Sequence, residues 1–163
     1  MRFASSSSPS LVRVVPLVML LVLPGCARAQ QRPPSVTVAQ FKELQWLAGT
    51  WRGSGGAYPA FFEEYRVVDD STMLMRSFSD STLRTTTDSS RIELRNGTVV
   101  SRGDRTATPA IEVTATHVRF RQEGAASGGF TFSRVSNDEW TATLHPASAN
   151  GRETVYVMRR IGR

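Results

Sequence analysis

One cysteine, one lysine and two histidines are all that this 163-residue chain holds of three residue types on which much protein chemistry rests. The cysteine, Cys26, stands near the N-terminus. Nothing beyond it can form an internal disulfide, a cysteine-containing zinc site or a thiol nucleophile. His117 and His145 fall in separate segments and match no metal-ligand spacing. The serines at 5–8 and 89–90 have no histidine in a recognisable nucleophile arrangement. A phosphate-cradling loop is missing too: Gly53-Ser54-Gly55-Gly56 follows a candidate strand, lacks the lysine and opens no helix. With no catalytic motif present, the chain is expected not to be an enzyme.

Charge of one sign is not concentrated anywhere. The whole chain carries +6, and removing Arg2, Arg13 and Arg28 takes it to +3. The arginines are scattered among Asp and Glu, which does not read as a nucleic-acid surface. Arg102-Gly103-Asp104 resembles an adhesion tripeptide, but a glycine after a strand reads first as a turn.

The one long apolar run lies at residues 14–23, behind Arg2 and Arg13 and without an acid. It is too short to span a bilayer and suits the core of an export signal. Two processing readings stand side by side. Ala27-Arg28-Ala29 is a small-x-small site, giving a signal peptide over 1–29. Leu23-Pro24-Gly25-Cys26 resembles a lipobox, giving a lipoprotein signal that ends at 25 and a lipid on Cys26. Either way the product is periplasmic, secreted or membrane-anchored, and touches membrane only through that signal or lipid. Residues 30–38 read as a Pro-Ser-Gln linker. The domain is expected over 39–163, long enough to fold on its core without a disulfide.

That domain is expected to be all-β. One helix is predicted over residues 37–47, where Phe41, Leu44 and Leu47 recur at helical spacing with Trp46 beside them. Short strands follow, at 51–54, 61–68, 72–78, 91–95, 98–102, 110–115, 117–121, 128–135, 139–144 and 153–161. Turn residues separate them. Asn96-Gly97 is the clearest hairpin signal, because both residues tolerate the positive φ of a type I′ turn. Short connections imply antiparallel neighbours, and so many strands without a second helix imply a barrel or sandwich.

Residues 41–53, Phe-Lys-Glu-Leu-Gln-Trp-Leu-Ala-Gly-Thr-Trp-Arg-Gly, narrow that choice. A short helix leading into Gly49-x-Trp51 at the first strand resembles the opening signature of lipocalins and their calycin relatives. The resemblance implies an antiparallel barrel of eight to ten strands with the helix plugging one end. It also implies Trp51 as a plug residue under an arginine of the last strand, Arg160 in preference to Arg159. Trp46 to Trp51, Glu63-Glu64-Tyr65, Met73-Leu74 and Met158-Arg159-Arg160 are similar to bacterial lipocalin-like domains of unknown function. The stretch 49–59 is similar to the first strand and loop of nitrobindin-type haem barrels, which handle nitric oxide or peroxynitrite. Those use a C-terminal histidine, and the last strand here has none. His145 is the one haem-ligand candidate, and it reads more simply as a solvated histidine at a strand end.

Candidates for the ligand cavity or core are Trp51, Glu64, Arg66, Phe120, Phe130, Phe132 and Tyr156. Phe130 and Phe132 share a strand face, as do Val118 and Phe120. Of Glu63 and Glu64 only one can point inward, since neighbours on a strand face opposite ways. The inward one needs an arginine or tyrosine partner, with Arg66, Arg76 and Tyr156 as candidates. Three functions follow: a carrier of a small apolar or amphipathic ligand, a haem barrel, or a filled barrel that works through its surface. The first is preferred, with no cofactor expected.

Overall fold

Thr37 begins the ordered cap of the domain. Its hydroxyl accepts from the Gln40 amide at 3.2 Å, and the Gln40 side chain accepts from the Thr37 amide at 2.9 Å. This reciprocal capping box starts helix α1, Val38–Lys42, which tightens into a 3₁₀ turn over Glu43–Leu47. The predicted single helix is therefore two short pieces. The tightening lets Phe41, Leu44, Trp46 and Leu47 all turn towards the barrel, where all four are buried. The computed structural model describes residues 35–121, 128–148 and 150–162. The export signal, Cys26 and most of the linker lie outside these residues.

Ten strands follow: β1 Gly49–Gly55, β2 Tyr58–Asp69, β3 Thr72–Phe78, β4 Thr86–Arg95 and β5 Thr98–Arg102, then β6 Ala107–Val113, β7 His117–Arg121, β8 Gly129–Arg134, β9 Glu139–His145 and β10 Thr154–Arg160. They form a closed barrel in which each strand pairs antiparallel with its sequence neighbours and β1 also pairs with β10. This up-and-down closure removes the free sheet edges that an exposed strand would offer to other chains. The strands expected at 72–78, 98–102 and 117–121 have those bounds. The larger differences are in β2 and β4, which begin earlier than expected, and in β6, which both begins and ends earlier than the expected 110–115. In β2 Tyr58 pairs with Gly55, and in β4 Thr86, Asp88, Ser89 and Ser90 pair with β3, regardless of composition.

Pairing shifts between Gly53 and Gly55, Val67 and Asp69, Ser77 and Phe78, and Ala110 and Glu112. Such bulges add local twist and help a sheet close on itself. At Asn96-Gly97 the backbone takes φ of 50° and 75°, the pair of positive values that the β4–β5 hairpin needs.

The meander sorts the connections to two ends. The β2–β3, β4–β5, β6–β7 and β8–β9 turns share one end with the helical cap. Val36 donates to the Gly97 carbonyl at 2.7 Å and Lys42 meets Asp70 at 2.8 Å, which fixes the cap there. Residues 35–38, expected as linker, thus belong to the folded cap.

The plug lies beneath it. The Trp51 indole donates to the Leu47 carbonyl at 2.7 Å, tying β1 to the cap. The Arg160 guanidinium sits over the Trp51 ring at 4.1 Å and donates to the Ala48 carbonyl at 2.9 Å. Gly49 has φ of +131°, and a Cβ there would overlap the guanidinium. The spacing of Gly49 and Trp51 therefore has a physical basis: glycine lets Arg160 pass close over β1 and reach the indole.

Candidate functional site

Above the plug, the interior opens into a cavity of about 370 Å³. Trp140 separates the two regions. It meets Trp51 edge-on at 5.9 Å on the plug side, and also lines the cavity with Tyr65 at 5.7 Å and Phe132 at 4.9 Å. Phe61 and Tyr156 form a T-shaped pair at 5.3 Å in the wall, and Met75, Met158 and Ile92 complete much of its apolar surface. At the rim, Leu144 is 42% exposed, a large apolar side chain left in contact with solvent.

Backbone parity decides which side chains reach this space. On β2, Trp51↔Glu63 and Gly49↔Tyr65 pairing puts Phe61, Glu63 and Tyr65 inside. The far end of the Phe61 ring lies against Gly53, where any Cβ would overlap it. The opposite parity carries Phe62, Glu64 and Arg66 outward. Glu64 and Arg66, expected in the cavity or core, are accordingly corrected to the outer face. Glu64 pairs there with Arg76, its cross-strand neighbour on β3, and Arg66 is exposed. Of the two adjacent glutamates, the inward one is Glu63.

Glu63 is paired as an inward carboxyl must be, though by none of the three expected partners. The Tyr65 hydroxyl donates to it at 2.9 Å from two residues along the same strand. Burial raises the Glu63 pKa above the usual carboxylate range. The hydroxyls of Tyr65 and Ser77 oppose that shift by bonding the charged form, and the negative Asp88 adds to it. Burial and the charge of Glu63 push the Tyr65 phenol well above its ordinary value, so it remains a donor. Glu63 keeps some accessible surface because it faces the cavity. Ser90 and Ser101 add two hydroxyls on β4 and β5. Among the described residues, no Lys, Arg, His or Cys lines the space.

The other expected residues separate into wall, core and surface. Phe130, Phe132 and Tyr156 line the cavity. Phe120 is 1% exposed and stacks on Phe130 at 4.6 Å, so it is core behind the wall. Trp51 and Arg160 make the plug. His145 is corrected as a haem-ligand candidate: it follows the outward parity of Thr141 and Thr143. Its Nε2 meets Thr131 Oγ1 at 2.8 Å and its Nδ1 meets Glu153 at 2.7 Å. With both ring nitrogens engaged on the outside, it cannot ligate iron in the barrel. The residues present do not fit the histidine-ligated haem of nitrobindin-type barrels. His117 also faces outward, between Thr114 and Glu112. Among the described residues no cluster of three or more His, Cys, Asp or Glu could hold a metal ion.

Sequence reasoning passed over most of the wall, with Phe61, Tyr65, Trp140 and Met158 among the residues missed. A signal for Tyr65 was present: Phe61-x-Glu63-x-Tyr65 is the more aromatic phase of β2, whereas Phe62-x-Glu64-x-Arg66 carries two charges. Trp140-x-Ala142-x-Leu144 similarly alternates with Thr141 and Thr143 on β9. The indole nitrogen of Trp140 is buried without a hydrogen-bond partner among the described residues.

No protein-family model and no curated protein matches the chain. Among solved structures, a redesigned β-barrel is similar at 9% identity and a TM-score of 0.38, covering 72% of this chain and 94% of that one.

Proposed function

We propose that this protein is a non-enzymatic binder or carrier that holds a small apolar or amphipathic molecule inside the barrel. The observation that carries the reading is the cavity itself. Its volume of about 370 Å³ falls within the roughly 300–1,000 Å³ of ordinary small-molecule sites. Its wall is mostly aromatic and aliphatic, with few polar groups, which is the composition that retains such ligands by excluding water.

The plug supports kinship with lipocalin-like barrels, since Gly49, Trp51 and Arg160 meet as that resemblance implies. We read the N-terminal segment as an export signal, so the carrier would act in the periplasm, at a membrane through lipid on Cys26, or outside the cell.

An uncharged fluorescent dye, N-phenylnaphthylamine, tests the reading. Wild-type protein is expected to bind it saturably with one site, and Ala142→Phe, which fills the cavity from β9, to weaken binding at least about tenfold. Equal binding by a folded Ala142→Phe variant, or none by wild type, would place any ligand elsewhere. Native mass spectrometry of the exported protein, with an absorbance spectrum, would identify a retained cargo.

A further inference from the structure

Four features of the cavity bear on what its occupant must carry. Among the described residues one carboxyl lines its wall, Glu63 on β2. Aromatic rings from four strands surround the same space: Phe61 and Tyr65 from β2, Phe132 from β8, Trp140 from β9 and Tyr156 from β10. No basic side chain among the described residues lines it. The further charge acting on Glu63 is Asp88 of β4, which is also negative. Asp88 lies opposite Ser77, and Ser77 opposite Glu63, so all three occupy one level of adjacent strands.

We propose that the cavity selects a small apolar cation, an arylalkyl- or alkylamine in its protonated form, with Glu63 as the counter-ion. This rests on the cavity being a ligand site and names the ligand class. An ammonium group supplies what Glu63 lacks, a positive partner within the barrel. The surrounding ring faces attract the same charge through their quadrupoles, while the walls take the apolar body. A carboxylate or phosphate ligand would instead meet two acids and no cation. An uncharged ligand would leave Glu63 with hydroxyl partners alone.

The groups facing Glu63 make the selection pH-dependent. They are Tyr65 on its own strand, Ser77 on β3 and Asp88 on β4, with the non-ionisable Trp51 opposite on β1. Because burial raises the Glu63 pKa, the carboxyl is neutralised earlier on acidification than an exposed glutamate. Preference for the amine therefore declines as pH falls.

Displacement of bound N-phenylnaphthylamine by three probes with one apolar body tests this: phenylbutylamine, phenylbutanol and phenylbutyrate. At neutral pH the amine should displace dye at least about tenfold more tightly than the alcohol, and the acid should be weakest. In Glu63→Gln the amine-to-alcohol ratio should collapse towards one. That ratio is internal to each protein, so a general loss of affinity does not disturb it. If Glu63→Gln does not fold, the wild-type ratio must still fall between neutral pH and pH near the ordinary glutamate value. Dye that binds but is displaced equally by amine and alcohol, or best by the acid, overturns this inference alone. Dye that does not bind overturns the cavity reading and this inference with it.

Discussion

Replacing Gly49 with alanine should destabilise the barrel mainly through a residue more than a hundred positions away. Two costs arise. A non-glycine residue held at φ of +131° pays backbone strain of about 1–3 kcal/mol. The new Cβ also overlaps the Arg160 guanidinium and must displace it. Displacement removes the cation–π contact with Trp51, about 0.5–2 kcal/mol. It also weakens the hydrogen bonds to the Ala48 and Asn137 carbonyls, which net about 1 kcal/mol each at this partly exposed site. Arg160→Ala alone should then cost about 2.5–4 kcal/mol, from the same contact and bonds. Gly49→Ala should cost about 3–5 kcal/mol, combining strain with that loss. The two must not add, because both remove one interaction. A double-mutant cycle by urea unfolding, followed through tryptophan fluorescence, should show the pair costing less than the sum by about 2 kcal/mol. Additivity within about 0.5 kcal/mol would show that Gly49 does not act through Arg160, and the account of the plug would be wrong.

Glu63→Gln should stabilise the protein more at alkaline than at acid pH. The native pKa is raised, so in wild type the folded state holds its proton longer than the unfolded state. Stability therefore falls as pH rises from the ordinary glutamate range through the native pKa, and thermal melting across pH should lose that decline in the variant. Glu93 has the opposite sign. It is 4% exposed on the outer face, and Arg95 at 2.6 Å, then Arg102 at 3.4 Å, hold its pKa down. Its contribution is present at neutral pH and lost on acidification, so Glu93→Gln should lower the melting temperature at pH 7 and little at acid pH. Gly97→Val should destabilise by about 1–3 kcal/mol in the same urea assay, since its φ is +75° and a Cβ would also overlap Ser35. His145→Ala should leave dye binding within about twofold of wild type, because its ring lies outside the barrel wall. A larger loss would contradict the assigned parity of β9.

Much of the architecture was legible because it depends on local chemistry. Turn residues bound the strands, and short turns leave antiparallel pairing as the simple solution. Gly49, Trp51 and the arginines of the last strand were visible as a motif, though alternation alone did not choose Arg160. β2 was less legible. Both of its faces carry an aromatic and a glutamate, so composition around Glu63 and Glu64 is nearly balanced. Tyr65 and Trp140, among the missed residues, become site residues only when closure of the barrel brings β2 and β9 together.

The order of turns and strands along the chain therefore determined an all-β meander with a helical cap, because those signals act over a few residues. Which carboxyl points inward, which ring forms the cavity floor and whether interior space remains were decided by tertiary structure. The parity of β2 is set by its register with β1 and β3, and a one-residue slip would exchange Glu63 for Glu64. The cavity likewise belongs to no segment: it is the volume left when side chains from many strands meet around the barrel, and closure alone brings those strands together.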